Sequence, residues 1–134
     1  MSGIRSRDTK PEIALRSALH AKGFRFRIHR KDLPGRPDIV LPKYNAVIEV
    51  HGCFWHGHGC DLFRYPATNP EFWRQKIGEN RIRDQRTRDA LRALGWRVLT
   101  VWECATRGRT QEAIADSVTA WIVSGDEEGE IGKS

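Results

Sequence analysis

The chain has 134 residues, enough for one domain with a real core, and its composition excludes several classes at once. No apolar run is long enough to span a bilayer, and the start, MSGIRSRDTK, lacks the hydrophobic stretch of an export signal. The formal charge is +6, but the last eleven residues, SGDEEGEIGKS, hold four acids and one lysine, which leaves residues 1–123 at +9. A basic body of this size suggests a polyanionic partner, most often nucleic acid, although a merely solubilising basic surface has the same composition. Three cysteines cannot close a disulfide framework without a leftover thiol, which favours a reducing compartment and metal binding.

Taken in chain order, Thr9-Lys10-Pro11-Glu12 has the form of a capping box with proline in the first turn. Ile13, Leu15, Ala18 and Leu19 supply an apolar stripe, and Gly23 ends this predicted helix. Phe24 to His29 (FRFRIH) alternates apolar and polar, which predicts a half-buried strand. KDLPGRP is a linker. Asp38 to Leu41 and Ala46 to Val50 are short strands joined by a PKYN turn, a predicted hairpin.

Asn69-Pro70-Glu71 offers an N-cap and a first-turn proline for a long charged helix reaching about Leu94, with Gly78 a candidate interruption and Gly95 the stop. Trp96 to Trp102 (WRVLTVW) is rich in β-branched and aromatic residues and predicts a strand. Arg107-Gly108-Arg109 turns the chain. Thr110 caps a last helix with Ile114, Val118, Trp121 and Ile122 on one face. The acidic tail, residues 124–134, is expected to be disordered, leaving residues 1–123 as a single domain. The predicted order is α-β-β-β-α-β-α, an α/β fold with a mixed sheet.

Between the hairpin and the long helix, HGCFWHGHGC (residues 51–60) packs three histidines, two cysteines and two aromatic rings into ten residues. Structural zinc favours thiolate and imidazole in a closed tetrahedron. Cys53 and Cys60 supply two thiolates, Cys104 a third if WRVLTVW lies beside the 46–50 strand, and His58 is the histidine best placed to complete the set. Buried cysteines without metal would have the same spacing. Four protein ligands leave no open position, which argues against zinc as a hydrolytic metal. His51 and His56 are not needed as ligands and suit acid–base work at neutral pH.

Asp38, after Pro37, and Glu49, near the end of the next strand, can fall at one end of the hairpin. Two carboxylates there make a hard oxygen site suited to Mg²⁺, which would polarise a phosphodiester and activate water. The alternative is an aspartate ending a loop and a glutamate facing solvent.

Pro37-Asp38 … Glu49-Val50-His51 resembles the PD-(D/E)-x-K nuclease signature with His51 in place of the lysine, and the element order resembles the restriction-endonuclease-like core. Glu12 matches the additional acid of many members. LPGRPDIV, VIEVHGCFWHGHGC, EFWRQKI and LGWRVLTVWECA together resemble the very short patch repair (Vsr) endonucleases, over a span from about Met1 to Trp121. The resemblance implies an endonuclease that nicks one strand of duplex DNA beside a T:G mismatch left by deamination of 5-methylcytosine. It would act as a monomer in the bacterial cytoplasm at the nucleoid, without a membrane, alongside other mismatch-repair proteins.

Residue by residue, the resemblance makes Asp38 a magnesium ligand with the backbone carbonyl of Val50. It makes His56 the candidate general base, with His51 and Glu12 as supporting groups. Cys53, His58, Cys60 and Cys104 become the structural zinc set. Phe54, Trp55 and Trp73 match aromatic residues pushed into the base stack, and Ile4 and Arg36 fall among the DNA contacts. Glu49 departs from relatives that carry an apolar residue there, and is expected to be a second magnesium ligand. The N-terminal arm is short, with Met1 and Ile4 near its end. Two rivals are a restriction-type nuclease without mismatch preference and a zinc-stabilised DNA-binding module that does not cut.

Overall fold

Strand residues that are apolar on both faces need a layer of helix on each side, and that is what the chain builds. The computed structural model describes residues 10–28, 30–52, 67–106 and 110–132. Strands β1 (Ile39–Leu41), β2 (Ala46–His51), β3 (Arg97–Trp102) and β4 (Glu128–Ile131) form one sheet in that spatial order. β1 pairs antiparallel with β2, whereas β2–β3 and β3–β4 are parallel. Parallel neighbours need a long crossover. α2 (Pro70–Ala93) provides it from β2 to β3, and the short α3 (Glu103–Thr106) with α4 (Gln111–Ser124) provides it from β3 to β4.

One sheet face carries Ala46, Ile48, Leu99 and Val101 against Leu15, Ala18 and Leu19 of α1 (Lys10–Ala21) and Ile114, Val118 and Ile122 of α4. The other carries Val40, Val47 and Val98 against Leu91 of α2. Three polar positions interrupt the buried strands: Glu49, His51 and Thr100, each at most 6% exposed. All three lie in the half of the sheet toward the carboxyl ends of β2 and β3.

The predicted helices and the hairpin are present, with the PKY turn as a 3₁₀ helix (Pro42–Tyr44) and Asn45 in the left-handed region at φ 51°. Thr110 caps α4 by accepting from the Ala113 N–H at 3.1 Å. Thr9 lies outside the described residues. Asn69 precedes α2 but makes no side-chain capping bond, and its carbonyl instead accepts from Trp73 N–H at 3.2 Å. α2 runs through Gly78 without a break.

Two expectations are corrected. Phe24–His29 is not a strand within the described residues: Arg27 makes one isolated bridge to Val40, donating and accepting at 2.8 Å. Phe24 and Phe26 do pack on the core, so the alternation reports burial. Pairing stops because β1 is three residues long, with Pro42, which has no N–H to donate, directly after it. The acidic tail is not disordered over Glu128–Ile131, where β4 closes the sheet beside β3. Ile131 packs on the core, Arg92 pairs with Glu127 at 2.6 Å, and the Arg97 guanidinium donates to the Asp126 carbonyl at 2.8 Å. Glu128 and Glu130 stay exposed while Gly129 and Ile131 are partly buried, so charge content alone misjudged this segment.

Candidate active site

The register of the hairpin decides where the acids meet. Ile39 is opposite Ile48, so the next step along the antiparallel ladder sets Asp38 against Glu49. The Val50 N–H donates to Asp38 Oδ2 at 2.6 Å and fixes that carboxyl at the mouth of the hairpin. From α1, Glu12 comes in with only 2% of its surface exposed, held by Arg16 Nη2 at 2.9 Å one helical turn on. Glu49 Oε2 lies 2.9 Å from His51 Nε2, and the other oxygen, Oε1, is buried without a hydrogen-bond partner among the described residues.

Burial pushes the Asp38 carboxyl up to about 8; the charge of Glu12 adds to this, the Val50 N–H opposes it, and Glu49 raises it further. Three carboxylates in a desolvated corner therefore have too little positive charge around them. Hard oxygen donors with that deficit fit a divalent cation such as Mg²⁺. Asp38, Glu49 and the Val50 carbonyl are the groups that would hold it. Among the described residues, no three His, Cys, Asp or Glu side chains are arranged as a ready cage for one ion.

A profile of the family described as DNA mismatch endonuclease Vsr matches residues 1–62. The chain is 52% identical over 125 residues to the DNA mismatch endonuclease Vsr of Escherichia coli K12, covering 91% of this chain and 80% of that protein. It is 57% identical over 104 residues to the type II nicking enzyme V.XorIIP of Xanthomonas oryzae pv. oryzae, covering 78% and 76%. With V.NmeAIP of Neisseria meningitidis it shares 43% over 109 residues, covering 81% and 78%. The chain belongs to the Vsr family.

Of the residues singled out from the sequence of this Vsr-family chain, Glu12, Asp38, Glu49, Val50 and His51 come together. Cys104 is buried in α3, directly after β3, and the pairing of His51 with Trp102 puts it at the same sheet end as the exit of β2. β3 does lie beside β2, and the other three expected zinc ligands fall outside the described residues. Cys53, Phe54, Trp55, His56, His58, Cys60 and Ile4 lie outside the described residues. Trp73, half-buried in the first turns of α2, stacks edge-on with exposed Phe72 at 5.1 Å. Arg36 is exposed two residues before Asp38, in the left-handed region at φ 47°.

Three neighbours of the site were not singled out: Arg16, Trp102 and Glu130. The i, i+4 spacing of Glu12 and Arg16 on one helix was a readable signal. Nothing in the local sequence marks Trp102 as the cross-strand neighbour of His51, or Glu130 as the acceptor of the Trp102 indole N–H at 2.6 Å.

Proposed function

We propose that this protein is a DNA endonuclease that nicks one strand of a duplex beside a T:G mismatch left by deamination of 5-methylcytosine, in very short patch repair. Membership in a family of mismatch endonucleases and nicking enzymes supports the endonuclease activity and its dependence on a mismatch. The observation that carries the chemistry is the cluster of buried Glu12 and Glu49 with half-buried Asp38, beside His51 at the carboxyl end of β2.

Asp38, Glu49 and the Val50 carbonyl would hold magnesium, which would supply Lewis-acid polarisation of the phosphodiester and of water. The Val50 N–H keeps the Asp38 carboxyl oriented, and Arg16 does the same for Glu12. His51 holds Glu49 by one oxygen and leaves the other for a ligand. His56 takes the proton of the attacking water as general base. Cys53, His58, Cys60 and Cys104 would hold a structural zinc, which would fix the 53–60 loop; the position of Cys104 beside the exit of β2 supports this reading. Phe54, Trp55 and Trp73 wedge into the base stack at the mismatch, where unstacking costs least. Ile4 and Arg36 grip the duplex. The enzyme acts as a monomer in the bacterial cytoplasm at the nucleoid, with other mismatch-repair proteins following the nick.

Strand-resolved cleavage of a duplex with one T:G mismatch in a methylation-site context, beside its fully paired twin, with magnesium or with EDTA, tests this. A magnesium-dependent nick on the thymine strand of the mismatched duplex alone is expected. Equal cutting of both duplexes would make the protein a restriction-type nuclease, and binding without cutting would make it a DNA-binding module.

A further inference from the structure

The carboxyl-terminal strand reaches the candidate active site through one indole. β3 lies between β2 and β4, with His51 in register with Trp102 and Thr100 in register with Glu130. Side chains two apart on a strand share a face, so Glu49, His51, Trp102 and Glu130 all project from the α2 side of the sheet. Trp102 is 7% exposed, and its ring meets that of His51 edge to face, with centroids 5.3 Å apart at 75°. Its Nε1–H donates to Glu130 Oε1 at 2.6 Å. His51 Nε2 in turn lies 2.9 Å from Glu49 Oε2. The line Glu130–Trp102–His51–Glu49 therefore crosses three strands.

We propose that Glu130 is a positioning residue for nicking: it fixes the Trp102 indole, which sets the plane of the His51 ring against Glu49. The inference rests on the active-site reading above. An indole rotates broadly about its terminal torsion, and a bond to a carboxylate is about twice as strong as one to a neutral acceptor, so this bond selects one ring orientation. An edge-to-face pair has a preferred geometry, and the orientation of Trp102 is passed to His51 through it. His51, 6% exposed, then has one ring plane in which Nε2 meets Glu49.

The test compares full-length Glu130→Ala, Glu130→Gln, Trp102→Phe and the double variant Trp102→Phe/Glu130→Ala, with Glu128→Ala as a control on the same strand. Glu130→Ala should lower kcat on the mismatched duplex by roughly 10–100-fold, the range seen when an orienting partner of a ligand is lost, with KM unchanged. Glu130→Gln, which keeps an acceptor, should recover most of the rate. The double variant should be no slower than Trp102→Phe alone. The indole N–H resonance of Trp102, identified by its loss in Trp102→Phe, should move in Glu130→Ala and hold in Glu130→Gln.

Wild-type kcat in Glu130→Ala, no rescue by glutamine, or an equal loss in Glu128→Ala would each overturn the proposal. A wild-type protein that does not nick would sink the endonuclease reading instead. The inference is then decided by the His51 ring resonances, which must shift in Glu130→Ala if Glu130 orients that ring.

Discussion

Asp38 concentrates the conflict between burial and charge. Its carboxyl titrates near 8 in the folded protein against an ordinary 3.8, chiefly because it is desolvated and next because Glu12 is close. Between those two values the folded chain holds a proton that the unfolded chain has released, so folding stability falls as pH rises through that window. The metal-free protein should therefore be less stable at pH 8 than at pH 5 by urea unfolding in EDTA, and Asp38→Asn should flatten that slope. A wild-type protein that gains stability over the same range would contradict the assignment. Magnesium should restore more stability at pH 8 than at pH 5, because its binding displaces the proton. Asp38→Ala should abolish nicking with the fold intact by circular dichroism; retained turnover would remove Asp38 from the chemistry. The sequence made Asp38 and Glu49 legible as a pair, because the short turn between two apolar runs brings them to one hairpin end. It did not show that Glu49 meets His51 with one oxygen and buries the other without a hydrogen-bond partner among the described residues.

At the scale of elements, the carboxyl-terminal strand depends on a few contacts that composition hides. Arg97 donates to the Asp126, Trp121 and Ile122 carbonyls and lies over the Trp121 ring at 4.4 Å, tying β3 to the end of α4 and the start of β4. Arg97→Ala should cost about 1.5–3 kcal/mol, the range for hydrogen bonds to a charged group, with Arg97→Lys recovering little because an ammonium cannot reproduce the planar fork. Chemical denaturation measures both. Gly129 is needed for space: a Cβ there would sit 2.5 Å from Trp121 Nε1. Gly129→Ala should destabilise by about 1–3 kcal/mol through overpacking and raise hydrogen exchange in β4 first. α4 was legible from its Thr110 cap, and the helices generally from glycine stops, first-turn proline and apolar spacing, all of which act within a few residues. The FRFRIH segment shows the limit. Its alternation reports that Phe24 and Phe26 meet the core, whereas a ladder also requires a partner long enough to pair with.

For the whole molecule, the proposed function would have basic charge govern association with DNA and zinc hold the 53–60 loop. Exposed Arg74, Lys76, Arg81, Arg83 and Arg86 along α2, with Arg36 beside the acids, present a basic surface. Duplex affinity should fall linearly with the logarithm of salt concentration. Arg36→Gln should reduce that slope by roughly 0.9, one phosphate contact, and weaken matched and mismatched duplexes alike. Cys104→Ala should lose zinc and lower the melting temperature; a variant that keeps stoichiometric zinc by elemental analysis would take Cys104 out of the ligand set.

What the sequence determined by itself is what short-range chemistry can encode: which segments are helical, which runs are apolar enough to be buried strands, that the body is basic, and that Asp38 and Glu49 meet at one end of the hairpin. Beyond the β1–β2 hairpin, the tertiary structure alone decided which strands are neighbours. The parallel pairing of β2 with β3 sets Trp102 against His51 and brings Cys104 to the exit of β2. The pairing of β3 with β4 turns an acidic tail into a strand that places Glu130 against that indole. The order of strands in a sheet depends on crossovers of twenty or more residues. No local pattern records how those crossovers pack, because the free energy that selects them comes from burying side chains distant in sequence.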